Sequence, residues 1–218
     1  MQLIVLANSY KNGGRCLAGI DCATGKWIRP ITEQNHGALD GGRCLINADG
    51  RQRAVQCLDV IEIKVGKWKP QIAQPENHEL LDGEFAWQTA LDRKPSVEFL
   101  DALMEKSEEL LFNKAAKVNE IDAKSVAKSL TLIRVADPLF FLGLREGKSP
   151  QLRTKFTYSG TTYDLPITDD RVWTTYAKVE PERFSKGTWY FTVSLGEPWN
   201  GSRWKLVAGC MSKDLLMK

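Results

Sequence analysis

No apolar run in this chain exceeds five residues, the longest being Leu3 to Ala7, and glycine, asparagine, aspartate and serine punctuate the sequence between such runs. Runs of that length make the strands of a sheet; a bilayer-spanning helix needs roughly 20 apolar residues. The chain is therefore read as many short strands with no membrane segment. With no basic segment leading into an apolar stretch at its start, it is expected in the cytoplasm. Its 218 residues, 43% hydrophobic and 26% charged, suffice for one large domain or two small ones.

Charge and cysteine usage narrow the function classes. Thirty Lys and Arg against 27 Asp and Glu leave a net charge of +3, too mild to name nucleic acid as the partner by itself. Cys16, Cys22, Cys44, Cys57 and Cys210 make an odd count without a Cys-x-x-Cys pair, which points to reduced thiols. The histidines, His36 and His78, stand far apart, so no short zinc-ligand pair exists and no metal site is assigned. Phosphate-loop, dinucleotide and serine-hydrolase signatures are absent as well.

Along the N-terminal third, Leu3 to Ala7 and Arg15 to Ile20 read as a hairpin across an Asn-Gly-Gly turn, and Trp27 to Ile31 as a third strand on which Pro30 restricts pairing. Arg43 to Ile46 and Cys57 to Val65 continue the pattern. In the middle, Leu100, Leu103, Met104, Leu110 and Leu111 recur at helical spacing after Ser96, a suitable N-cap, and the helix is expected to end near Asn113. Strands resume at Leu130 to Val135, Leu139 to Leu144, Leu152 to Tyr158, Thr161 to Ile167, Trp189 to Leu195 and Trp204 to Cys210. Lys155 to Leu165, turning at Ser159-Gly160, is the clearest hairpin. A faint echo links Gly13-Gly14-Arg15-Cys16-Leu17 to Gly41-Gly42-Arg43-Cys44-Leu45. The expected fold is mainly β, α+β overall, with a pair of small β-barrels flanking a helical middle segment.

Several scattered motifs agree with one family. Arg15-Cys16-Leu17-Ala18-Gly19-Ile20 with Trp27-Ile28-Arg29-Pro30, Gln74-Pro75-Glu76-Asn77-His78, Phe156-Thr157-Tyr158 with Tyr163 to Asp169, Val193 to Glu197, and Lys205 to Gly209 together resemble the prokaryotic dual OB-containing domain proteins. The resemblance spans nearly the whole chain. It implies OB-like barrels at residues 1–95 and 125–218 around a helical segment at 96–124, and a nucleic-acid link, with a role in anti-phage defence among its implications. It brings no catalytic residues with it.

OB-like barrels hold single strands by joining a basic groove to aromatic platforms. Candidate nucleic-acid residues are Trp27 with Arg29, then Arg153, Lys155 and Tyr158, then Trp204 with Lys205, the rings stacking bases and the cations meeting phosphate. Residues two apart on a strand share a face, which pairs Trp27 with Arg29 and sets Lys26 and Ile28 opposite. For every such cluster the competing reading is a ring packed in a barrel core beside a solvated charge. Glu76, Asn77 and His78 form a polar loop that could hold a ligand or serve as turn and cap. Asp169 and Asp170 could hold a divalent ion or cap a helix over Arg171 to Tyr176.

The reading that follows is a non-catalytic accessory protein binding single-stranded nucleic acid or a nucleotide-containing ligand, with no cofactor and no membrane partner. A metal-dependent nuclease or nucleotide-acting enzyme built on Glu76, His78, Asp169 and Asp170 is the alternative, and only that reading calls for a divalent metal. A protein-interaction scaffold is the third.

Overall fold

The computed structural model describes residues 1–11, 13–33, 37–40, 44–48, 50–81, 87–89, 95–145, 147–176 and 186–213. His36 and the Gly41 to Arg43 part of the echoed motif lie outside them. Two compact units emerge, Met1–Ser96 and Val97–Lys218. Strands dominate both, and no helix among the described residues is long and apolar enough to cross a membrane.

Unit 1 is one curled sheet of β1 (Gln2–Lys11), β2 (Gly14–Asp21), β3 (Trp27–Ile31), β4 (Leu45–Ala48), β5 (Arg51–Ala54), β6 (Val60–Glu62), β7 (Val65–Trp68), β8 (Asn77–Leu80) and β9 (Trp87–Thr89). Its order is β5-β4-β9-β6-β1-β2-β3-β8-β7. The expected β1–β2 hairpin is present, with a bulge between Val5 and Ala7. At Gly19 a Cβ would stand 2.0 Å from the Ile4 carbonyl oxygen, so only glycine fits there. Pairing of β2 with β3 stops at Ile28, before Pro30, and β3 then pairs in parallel with β8. The strand expected over 57–65 is two strands instead: β6 pairs with β1 and β9, and after Ile63 the chain changes neighbour so that β7 pairs with β8. Leu3, Val5, Leu17, Ile28, Ile46, Val55, Ile61 and Ile63 share the core beneath, with Val65 and Leu80 packed against it.

Unit 2 begins with α1 (Val97–Leu103), directly after Ser96, and continues through β10 (Lys117–Asn119) and a 3-10 turn over Asp122–Ser125. The helix is shorter than its apolar spacing predicts. After Leu103 the chain turns, the Glu105 N–H donates to the Leu132 carbonyl, and Leu110 and Leu111 are buried from an irregular segment in which Leu111 takes φ 49°. Tertiary contacts override local helical spacing here.

The remaining strands are β11 (Leu130–Ala136), β12 (Leu139–Arg145), β13 (Lys148–Tyr158), β14 (Thr161–Pro166), β15 (Thr188–Trp199) and β16 (Ser202–Ser212), with α2 (Asp170–Tyr176) between β14 and β15. Two sheets form, β10-β16-β15-β11 and β12-β13-β14. They join at two corners. β11 runs into β12 through Asp137 (φ 44°), and Ile167 at the end of β14 bridges in parallel to Val207 of β16. The circuit β11/β12, β13, β14, β16, β15 and back to β11 is the five-strand arrangement of an OB barrel. Phe140, Phe156, Tyr163, Trp189 and Phe191 fill it, Phe156 stacking on Tyr163 at 5.8 Å and meeting Phe191 edge-on at 5.4 Å.

Candidate nucleic-acid interface

β15 and β16 meet at a two-residue turn, Asn200-Gly201, whose φ values of 48° and 70° are those of a tight hairpin turn matching strand twist. Trp199 stands opposite Ser202, and Lys117 of β10 stands opposite Trp204. Opposed residues share a face, as do residues two apart, so this register sets Trp199, Trp204 and Lys117 on one face of the hairpin end. The rings lie 6.4 Å apart at 51°, and the Lys117 ammonium sits 5.1 Å from the Trp204 ring centre. Both indoles face solvent, Trp199 58% exposed and Trp204 38%. Ile121, 80% exposed, follows Glu120, whose N–H donates to the Gly201 carbonyl. The Glu120 carboxylate faces the buried Arg203 at 3.3 Å.

Lys205 is a correction to the sequence reading. It adjoins Trp204 on β16 and so projects to the other face, where it is fully buried. Its ammonium donates to the backbone carbonyl of Asn113 at 2.6 Å and to the Asn113 side-chain oxygen at 2.8 Å, and lies 5.8 Å over the Tyr163 ring. Burial pulls its pKa down to about 8, with Glu109 acting weakly the other way. Asn113 in turn donates from Nδ2 to the Lys117 carbonyl at 3.2 Å. Lys205 is thus a positioning residue: it clamps the segment that delivers Lys117 to Trp204.

Of the other predicted residues, Trp27 is half-buried at the start of β3, and Arg29 is buried, donating to the Asn77 side chain at 3.5 Å. Arg29 therefore does not reach outward beside Trp27 as expected. Its register partner on β8 is Asn77, which is itself buried along with Glu76, while His78 is half-buried with Nδ1 against the Glu76 carbonyl. On β13, Arg153 is held by the Asp164 carboxylate at 2.7 Å and by the Gln151 side chain at 3.0 Å. Lys155 is exposed. Tyr158 projects to the opposite face, where its hydroxyl donates to the Ser107 carbonyl at 2.7 Å; burial raises its pKa. Tyr158 thus pins the 105–107 segment.

The two polar knots fall in different units. Asp169 caps α2, one carboxylate oxygen accepting from the N–H groups of Arg171 and Val172 and the other from Cys210. Burial pushes its carboxyl up to about 6 against those three donors. No group of three potential metal ligands exists among the described residues. None of the five cysteines is in a disulfide; Cys44, Cys57 and Cys210 are buried, and burial pushes the Cys44 thiol up to about 12, unsuited to nucleophilic attack.

Trp199 and Lys117 escaped the sequence reading. The Asn200-Gly201 pair would have found Trp199, since that dipeptide between strands is a strong hairpin signal and sets Trp199 across from Ser202. Nothing local announces Lys117, which reaches Trp204 only through the pairing of β10 with β16.

Unit 2 is thus a small OB barrel, a fold type that binds oligonucleotides and oligosaccharides, with a pair of solvent-facing tryptophans and a lysine at one hairpin end. A family model for the dual OB-containing domain matches residues 1–210, and the chain belongs to that family. No curated protein and no solved structure matches it.

Proposed function

We propose that the protein binds single-stranded nucleic acid without catalysis, bases stacking on Trp199 and Trp204 while Lys117 meets a backbone phosphate. The observation that carries this reading is the Lys117–Trp204–Trp199 cluster: two large, solvent-exposed rings at a hairpin end, with an ammonium held 5.1 Å from the centre of the Trp204 ring. Bases in a duplex have their faces covered, so such rings favour unpaired strands, each stacked base contributing about 1–3 kcal/mol. The exposed Lys155 on β13 adds charge to the outer surface of the same barrel. The reading needs no cofactor.

Fluorescence anisotropy with labelled single- and double-stranded DNA and RNA across a salt series tests it. Tighter single-strand binding, a Trp204→Ala loss of roughly 5- to 150-fold and a salt slope reduced by about one in Lys117→Ala are expected. Equal affinity in wild type and Trp204→Ala, or cleavage of the strand in Mg2+, would refute it.

A further inference from the structure

The two rings at the hairpin end of unit 2 are not parallel. Trp199 and Trp204 lie 6.4 Å apart, centre to centre, with their planes at 51°. The Lys117 ammonium, 5.1 Å from the Trp204 ring centre, steadies that ring from one side, and the tight Asn200-Gly201 turn ties the strand of Trp199 to the strand of Trp204. Neighbouring bases in a stacked single strand keep their planes nearly parallel, so a strand that stays stacked can lie flat on only one of these rings. To lie flat on both, it must open a step and kink between the two bases.

The side-chain amide on this face is already engaged. Asn119 and Trp199 stand on either side of Ser202 in the register, and Asn119 shares the face of Lys117, two residues before it on β10. Its Nδ2 donates to the Asp122 carboxylate at 2.7 Å, and its Oδ1 accepts from the Asp122 N–H at 2.8 Å. Held at both ends, the amide does not read base edges, which leaves the ring surfaces to set the preference. A preference set by stacking follows how readily a strand unstacks: adenine runs stack firmly on themselves, thymine and cytosine runs weakly. The Asp122 carboxylate is the rival selector, since a carboxylate accepts from the amino group of cytosine and would favour it over thymine.

We infer that the tilt of Trp199 against Trp204 makes this a site for pyrimidine-rich single strands, which open easily, over adenine runs, which must be unstacked to fit. This inference rests on the single-strand reading above and deepens it by naming the sequence class.

Fluorescence anisotropy on the full chain, with labelled oligothymidylate, oligocytidylate and oligoadenylate about eight nucleotides long, within the span one OB barrel covers, decides it. The wild type is expected to bind the two pyrimidine oligomers alike, each at least about fivefold more tightly than oligoadenylate. Trp199→Ala removes one of the two planes and with it the need for a kink. Its pyrimidine affinity should fall while its oligoadenylate affinity holds, so that the preference disappears, whereas Trp199→Phe, which keeps a ring, should retain it. Thermal melting confirms that each variant is folded, as expected for a ring 58% exposed. Oligoadenylate bound by the wild type as tightly as oligothymidylate, with both weakened in Trp204→Ala, would overturn the selection and leave the single-strand reading intact. Oligocytidylate alone favoured would overturn it in favour of base reading by Asp122. A preference unchanged in Trp199→Ala would overturn it as well, because one ring has no tilt to impose. No binding of any oligomer removes both readings.

Discussion

Lys205 carries an ammonium into a place water does not reach, and its cost is measurable. The folded chain releases its proton near pH 8, whereas the unfolded lysine holds it to about 10.5. Between those values the unfolded state binds more protons, so stability contributed at this residue rises as pH climbs from about 8 to about 10. Urea melts at pH 7.5, 9 and 10 are expected to show that gain in the wild type and not in Lys205→Met. A parallel slope in both proteins would mean that the ammonium is not desolvated as described. The same residue shows how far a sequence can be read. Adjacency of Trp204 and Lys205 suggests a ring and its cation, yet adjacent strand residues face apart, so the pair divides into a surface platform and a buried clamp. Arg29 is lost to the surface for a different reason: its parallel neighbour β8 brings Asn77 against it from elsewhere in the chain. Trp204 itself needed only alternation to be found.

At the scale of elements, β1 and β2 lie so close at Gly19 that a single methyl has no room. The Ile4 carbonyl oxygen would sit 2.0 Å from a Cβ and its carbon 2.8 Å, both backbone atoms that cannot swing aside. Gly19→Ala is therefore expected to cost about 3 kcal/mol or more, read as a loss of unit 1 signal in a urea melt. A change within about 0.5 kcal/mol would show that the strands separate more easily than their bulged register implies. The hairpin of β13 and β14, and the runs of β11 and β12, were legible because alternation and turn residues agree there. The middle was not. Leu103, Leu110 and Leu111 keep helical spacing, but Leu110 and Leu111 are buried from an irregular segment tied to β11 through Glu105 and to β16 through Asn113, ties that are invisible until those strands are in place. β10 is three residues long and pairs with the β16 edge, and the four-residue β8 is held between β3 and β7, so neither is marked by a run of its own in the sequence.

The whole molecule divides at Ser96 and Val97, and the helical middle goes with the second unit. Asp101 accepts from the Tyr190 hydroxyl at 2.7 Å and from Arg134 at 3.2 Å, Glu105 pairs with Lys128, Asn113 takes the Lys205 ammonium and Val118 is buried beside β16. A fragment of residues 97–218 is accordingly expected to fold alone, with a cooperative melt and one bound oligothymidylate. Residues 126–218, which discard those anchors, are expected to show no cooperative melt. Folding of the shorter piece would make the 97–125 segment an ornament of the barrel rather than part of it. Sequence composition placed a boundary near this point but assigned the middle to neither half, because polar residues such as Lys114, Lys117 and Glu120 look like linker until their contacts are seen.

β16 is the final described strand, and much of unit 2 depends on it: Asp169 needs the Cys210 N–H, Asn113 needs Lys205, β10 needs the edge at Ser202 to Trp204, and β14 closes on Val207. During synthesis none of these can settle until almost the whole unit has emerged from the ribosome. A nascent chain paused before β16 would hold Phe156, Tyr163 and Phe191 in an unclosed sheet, a species prone to aggregate and suited to capture by a chaperone. The price of an enclosed barrel is thus a long wait in an open one.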